Sequence, residues 1–382
     1  MLRVMIIGCG GIAPAHIEGY LAFPEDAVVT VLADGNLERA KRLIERYGLS
    51  QAKAVADYRA CLHEVDVVSV CTPPSLHEQM AVDALEAGCH VLLEKPMAPS
   101  LAACDHILRV AQQSGRQLSV VVQSRYISSI RNAIDMVRGG AYGRALFTQI
   151  NSLWHRGQHY YDLSWRGRWT VEGGGCTLNH SIHHIDLLLW AKGLPATVRS
   201  TMHNLNHLNS EEEDCSLSTL VYPDGTVAQV NSMLVAHGEK QTFTFQMEKA
   251  GIAIPFEPMA SVSRPNGFPT DDEAMRQCLQ EDFDARARLE HENHTGQVQN
   301  FLGTILRGET LAATGLDGRN CIELITAIYK SAVTGETVSL PIAANDLFYT
   351  DAWRAQAPHF HEKLSDVQAF EDTTITSFKN KF

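Results

Sequence analysis

The first 120 residues alternate short β-branched runs with segments of helical apolar spacing, and the first run ends in Gly8-x-Gly10-x-x-Ala13. Residues 2–7, 28–33, 67–71, 90–93 and 118–122 read as strands. Residues 13–21, 37–47, 75–87 and 101–114 read as the helices between them; in the last, Leu101, Ile107, Leu108 and Ala111 mark one stripe. Strand, helix, strand at this rhythm specifies a parallel sheet with helices on both faces. Gly48, Gly88 and Gly115 fall just past three of the helices, where a left-handed C-terminal cap belongs.

The glycine turn adds chemistry to that sheet. Gly8 permits a tight turn, Gly10 lets backbone approach a pyrophosphate, and Ala13 allows close helix–strand packing. Gly11 and Ile12 complete the turn, and the helix N-terminus offers its unpaired N–H groups to phosphate. Asp34 ends the second strand, 24 residues after Gly10. A carboxylate there accepts from ribose hydroxyls and repels a 2′-phosphate, which favours NAD. Arg39 or Arg42 could reach such a phosphate, so NADP stays open.

Beyond about residue 123 the pattern changes. A helix is expected over 130–137, ended by Gly139-Gly140, and a strand over 145–154. The aromatic and basic loop HRGQHYYDLSWRGRW follows, then Gly173-Gly174-Gly175 and one helix from about 177 to 190. Several strands are expected over 196–256, with Pro223-Asp224-Gly225 turning an antiparallel hairpin. Residues 267–294 are highly charged and read as exposed; helices return at 295–307 and 318–334. The division is thus a dinucleotide-binding domain over 1–123 and an α+β domain with a mainly antiparallel sheet over 124–382.

Two further segments carry candidate chemistry. Cys71-Thr72-Pro73-Pro74-Ser75-Leu76-His77 breaks a strand at the sheet's carboxyl edge, with Ser75 placed to cap the next helix. The following strand ends in Glu94-Lys95-Pro96 at the same edge, where an ammonium can hydrogen-bond to a hydroxyl being oxidised. In the 177–190 helix, Asn179, His183 and Asp186 would share a face, and histidine is the natural proton carrier near neutral pH. His180 and His184 stand at metal-ligand spacing, but no glutamate lies between them, and no metal is expected.

Composition narrows the partners. The formal net charge is −12, and no basic run or zinc-finger spacing appears, so nucleic acid is not an expected partner. Nine cysteines without close pairing read as free thiols in a reducing, cytoplasmic setting. The apolar start is too short for a signal peptide, and no run is long enough to span a membrane.

In order and spacing, the glycine turn, Thr72-Pro73 with His77, Ala87 to Pro96, Trp165-Arg166-Gly167 and the stretch from Gly173 to Asp186 resemble the glucose-fructose oxidoreductase / inositol dehydrogenase / rhizopine catabolism (Gfo/Idh/MocA) family of NAD(P)-dependent oxidoreductases. The resemblance implies a Rossmann domain followed by a large, open, mostly antiparallel sheet that often forms a homodimer or homotetramer interface. It implies oxidation of a secondary hydroxyl on a sugar, a sugar derivative or an inositol. Cofactor contacts are then expected from the glycine turn and Asp34, and from Thr72, Pro73, His77, Glu94 and Lys95. Lys95 maps to the lysine that polarises the hydroxyl, and His183 to the acid/base. Asn179 stands where the family most often has an aspartate. Tyr161, Arg166 and Trp169, with Asn179 and His183, are the expected contacts to a carbohydrate-like substrate. A redox-neutral glycoside-processing cycle with tightly held NAD and a non-catalytic sugar or dinucleotide sensor are the alternatives.

Overall fold

The computed structural model describes residues 1–367. They form two compact units. The first comprises Met1–Tyr126, Leu289–Ile322 and Tyr349–Asp351; the second comprises Ile127–Arg288, Glu323–Phe348 and the described residues from Ala352 on.

In the first unit the strands are β1 (Leu2–Ile7), β2 (Ala27–Ala33), β3 (Lys53–Val55), β4 (Val67–Val70), β5 (His90–Leu93) and β6 (Leu118–Val120). All neighbours run parallel in the order β3-β2-β1-β4-β5-β6. The order reverses between β1 and β4, and a crevice at such a switch point is where open α/β sheets take ligand. The helices are α1 (Ala13–Leu21), α2 (Leu37–Tyr47), α3 (His77–Glu86) and α4 (Leu101–Ser114). Asn36 and Ser100 cap α2 and α4 with their side chains, and Gly48 and Gly115 end them in the left-handed region. Ser75 does not cap α3: it lies within a 3₁₀ turn, Pro74–Leu76, and α3 starts without a side-chain cap. β3 has only three residues and no alternating pattern, so the sequence gives no sign of it.

The chain returns to this unit at Leu289, after the excursion Ile127–Arg288. Helix residues Val298, Phe301 and Leu302 pack into the same core as Val4, Ile6, Ala13 and Ile17. Gln297 is buried beside the last strand, its Nε2 donating to the Val120 carbonyl (2.8 Å) and its Oε1 accepting from the Val122 N–H (3.0 Å). A division drawn along the chain at residue 123 does not contain this return.

In the second unit, α5 (Ser128–Arg138) leads to β7 (Ala145–His155), α6 (Cys176–Asn179) and α7 (Ile182–Lys192). The strands β8 (Thr197–His203), β9 (Cys215–Val221), β10 (Val227–Met233), β11 (Val235–Met247), β12 (Gly251–Ile254) and β13 (Glu257–Met259) follow. Then come β14 (Ser261–Ser263), β15 (Pro269–Asp271) and α8 (Glu273–Ala285). Helices α9 (Asn293–Arg307) and α10 (Gly315–Thr334) and the short β16 (Val338–Ser339) close the series; α9 is the helix that packs in the first unit. The main sheet has the order β13-β12-β11-β7-β10-β9-β8-β16. Only β7 and β10 pair in parallel; the rest of the ladder is antiparallel, including the hairpin at Asp224. The charged 267–294 stretch holds α8, whose single fully buried residue is Leu279.

Candidate active site

The glycine turn is built for close backbone approach. Gly8 has φ +93°, and a Cβ there would lie 2.7 Å from the Cys71 carbonyl oxygen, so any side chain would strain the turn and collide with the next strand's exit. At Gly10 a Cβ would meet nothing within 4 Å: the space over the turn is open. Ile12 precedes α1 without a side-chain cap and the first turn carries no acid, so the helix amides face outward unpaired by side chains. These features fit a dinucleotide pyrophosphate. Asp34 supports the turn from the neighbouring strand, its Oδ2 accepting from the Cys9 N–H (2.8 Å) and its Oδ1 from the Asn36 N–H (2.7 Å).

At the second strand exit the side chains are mutually held. His77 is fully buried, with Nδ1 2.8 Å from the Pro96 carbonyl and Nε2 2.8 Å from the Thr72 carbonyl. It thereby stands between the Thr72-Pro73 loop and the Glu94-Lys95-Pro96 segment; burial lowers its pKa against the raising pull of the two carbonyls, and the neutral ring that burial favours donates to one of them. Glu94 is buried too. Its Oε1 accepts from His16 Nε2 (2.9 Å) with His294 Nε2 at 3.8 Å, and its Oε2 accepts from the Lys95 N–H (3.1 Å). Burial alone would raise this carboxyl; the hydrogen bonds from His16 and His294 outweigh it and hold Glu94 well below the usual carboxylate range. The result is a fixed anion under the backbone of Lys95.

His16, Glu94 and His294 bring three ligand-capable atoms within 4.8 Å of one another. The contact between His16 and Glu94 has hydrogen-bond length, and His16 Nδ1 is buried without a partner. A metal-ligating histidine normally has its other nitrogen hydrogen-bonded, so this donor set suits a carboxylate clamp better than an ion. Sequence reasoning missed both histidines. His16 lies on α1, one turn past Ala13, and His294 comes from the start of α9, where no local pattern marks it as a partner of Glu94.

In the second unit the glycine triplet rests on Glu213. Its Oε2 accepts from the Gly175 N–H (3.0 Å), and its Oε1 from the Thr177 N–H (3.0 Å) and the Tyr329 hydroxyl (2.9 Å). A Cβ at Gly175 would lie 1.9 Å from the Glu213 carbonyl oxygen, so only glycine fits. Burial pushes the Glu213 carboxyl up to about 7 against the pull of those hydrogen bonds. The single helix expected over 177–190 is two: α6 ends at Asn179, and α7 starts at Ile182. Asn179 and His183 therefore do not share one helical face. The Asn179 amide donates to the Gly174 carbonyl, and His183 sits half-buried in the first turn of α7. His184 turns inward, Nδ1 2.8 Å from Ser152 Oγ, and burial pushes it down to about 3, which leaves it no role as a proton carrier near neutral pH.

The loop after β7 is held by its own aromatics. Tyr161 and Trp169 are each 1% exposed. Tyr161 packs edge-on against Tyr160 and His207, and Trp169 against Tyr329 and Trp353, with its Nε1–H donating to the Pro358 carbonyl (3.0 Å). Both rings anchor the loop. Arg166 pairs with Glu172 (2.7 Å) and stacks on Tyr160 and Trp165 at 3.9 and 4.0 Å.

Family comparison agrees with both units. A model described as an oxidoreductase family with an NAD-binding Rossmann fold matches residues 2–122, and the GFO/IDH/MocA C-terminal domain model matches residues 130–253. The chain belongs to the Gfo/Idh/MocA family. As a family member it is an NAD(P)-dependent oxidoreductase acting on CH–OH groups. Among its relatives is the D-glucoside 3-dehydrogenase of Escherichia coli K12, 25% identical over 359 residues, covering 89% of this chain and 97% of the relative. The WlbA dehydrogenase from Bordetella pertussis, solved with NADH and UDP-GlcNAcA, is 26% identical with a TM-score of 0.76, covering 90% and 98% of the two chains. A levoglucosan dehydrogenase solved with NADH and levoglucosan shares the fold at 21% identity and TM-score 0.74, covering 90% and 100%.

Proposed function

We propose that the chain transfers a hydride between a secondary hydroxyl of a sugar or sugar derivative and NAD. The observation that carries the reading is the pair of elements just described: an open glycine turn, and a lysine whose backbone N–H rests on a clamped carboxylate at the carboxyl edge of the same sheet. The relatives named above, which act on or bind sugars and their derivatives, support the substrate class. Gly8, Gly10, Gly11, Ile12 and Ala13 would hold the pyrophosphate and Asp34 the ribose; Thr72 and Pro73 line the adjoining strand exit. Bound NAD supplies the hydride acceptor.

The chain's own residues manage the proton and the charge. The Lys95 ammonium donates to the reacting hydroxyl and stabilises negative charge developing on its oxygen. A ring nitrogen of His183 takes the hydroxyl proton, and Asn179, a neutral amide, orients polar groups without adding charge. Arg166 braces the loop that carries Trp165. The sheet of the second unit exposes Leu217 and Val221 on its outer face. That face also carries an amide ladder, Asn231 to Asn151 (2.9 Å) and Asn151 to Thr242 (3.1 Å), which supports pairing with a second copy as a homodimer or homotetramer. Among the described residues no helix is long and apolar enough to cross a membrane. The nine cysteines, none at close pair spacing in the sequence, support a cytoplasmic setting.

The test is NADH formation by Lys95→Met and His183→Asn. Each is expected to lower kcat by about 100-fold or more, and in His183→Asn NADH binding, read by its fluorescence, stays unchanged. Unaltered kcat in either variant removes that residue from the chemistry.

A further inference from the structure

The loop from His155 to Glu172 is rich in arginine, and an arginine cluster is the ordinary receptor for phosphate or carboxylate. Here every cation of the loop is already committed. Arg156 pairs with Glu239 (2.8 Å), a carboxylate whose side chain is 6% exposed and which also accepts from the His155 N–H (3.1 Å). Arg166 pairs with Glu172 (2.7 Å), 3% exposed, which also accepts from the Gly167 N–H (2.7 Å). Arg168 pairs with Asp366 (2.8 Å). Lys363, which comes from the far end of the described chain, spends its ammonium on the backbone carbonyls of Tyr161, Leu163 and Arg166.

We infer that the sugar taken by this site is uncharged. The inference rests on the reading of this loop and the glycine-triplet helix as substrate-facing. An incoming phosphate or carboxylate would have to draw Arg156 or Arg166 away from a buried carboxylate and leave that carboxylate unpaired, which is strongly unfavourable. Asp214, fully buried, adds a fixed negative charge beside the loop: burial would raise its carboxyl, but the bonds from His207 and from the Leu205 and Asn206 N–H groups hold it lowered. A cationic amino sugar gains little either, because Glu172, Glu239 and Asp214 are themselves satisfied, the last by the Leu205 and Asn206 N–H groups and His207. Apart from the Lys95 ammonium, which the reacting hydroxyl takes, what the site offers is neutral. Asn179 is an uncharged amide, and the Trp165 ring, 40% exposed and backed by the Arg166 guanidinium, presents an apolar plane suited to the C–H face of a sugar.

Matched substrates test this. Initial rates with NAD are measured for a neutral hexose and its methyl glycoside, and for the corresponding uronic acid, sugar phosphate, nucleotide sugar and amino sugar. The neutral members are expected to have kcat/KM at least about tenfold above every charged one, which corresponds to about 1.4 kcal/mol. Their KM is expected to stay within about twofold between roughly 0.05 and 0.5 M salt, where charge-driven binding would weaken. A charged member with the higher kcat/KM overturns the inference and leaves the dehydrogenase reading standing. No turnover of any member removes that reading, and the inference with it.

Discussion

On the proposed reading, cofactor choice turns on Asp34. Its carboxylate holds the Cys9 and Asn36 N–H groups at the exit of β2, and that fixes a negative charge beside the glycine turn. Asp34→Ser is expected to weaken NADH binding and to shrink the preference for NADH over NADPH by about tenfold, roughly one charged hydrogen bond's worth. The ratio of the two dissociation constants, read by cofactor fluorescence, checks it; an unchanged ratio would mean that Arg39 or Arg42 governs the 2′ position. Gly8, Asp34 and Lys95 were legible in the sequence because each is set by its own strand–turn context. His16 and His294 were not. They matter through Glu94, and nothing local to position 294 tells of a carboxylate 200 residues away. Tyr161 and Trp169 were legible as aromatic loop residues, but their burial follows from packing with Tyr329, Trp353 and His207, which only the folded chain brings near.

At the level of elements, the glycine triplet and α6 depend on a buried acid. Glu213 titrates at about 7 in the folded unit against an ordinary value of 4.5. The folded state therefore keeps a proton that the unfolded chain releases between those values, and stability falls as pH rises through that window. The slope from one such group is at most about 1.4 kcal/mol per pH unit. Glu212, raised by burial and by the nearby Glu172 and Glu213, acts in the same direction. Glu94 has the opposite sign: its lowered pKa stabilises above the unfolded value, a gain complete by about pH 5.5. His77 and His184, held neutral by burial, act in the opposite direction over the same window, so the expectation is a difference: between about pH 5.5 and 7 the thermal midpoint of the native chain falls relative to that of Glu213→Gln. An unchanged slope in that variant would place the proton elsewhere. The same segment shows why element boundaries are hard to read. The 177–190 stretch has helical composition throughout, and it is the anchoring of Gly175 and Thr177 on Glu213 that goes with a break at His180-Ser181. The alternating strands β1, β2 and β5 and the helices α1, α2 and α4 were readable almost to the residue, because periodicity and caps are local signals.

Over the whole molecule, the charge of −12 and the path of the chain acquire physical meaning. The acidity does not oppose a dinucleotide, since on the proposed reading its phosphates need only the backbone N–H groups at the start of α1. In the second unit it takes the form of carboxylates that neutralise each arginine of the loop. The return of α9 into the first unit was not legible, because a helix of ordinary amphipathic pattern does not declare which core it joins; Gln297 and Phe301 do so only through their partners. All of this converges on one reaction, removal of hydride from a carbinol carbon of a neutral sugar. The most direct measurement follows that atom. A panel of neutral hexoses, glycosides, anhydrosugars and inositols is offered with NAD, and the best substrate is then prepared with deuterium at the carbon it loses its hydride from. The NADH formed is expected to carry the deuterium, and the product to be the corresponding ketone. NADH that forms without the label, or no NADH from any member of the panel, would contradict the assignment.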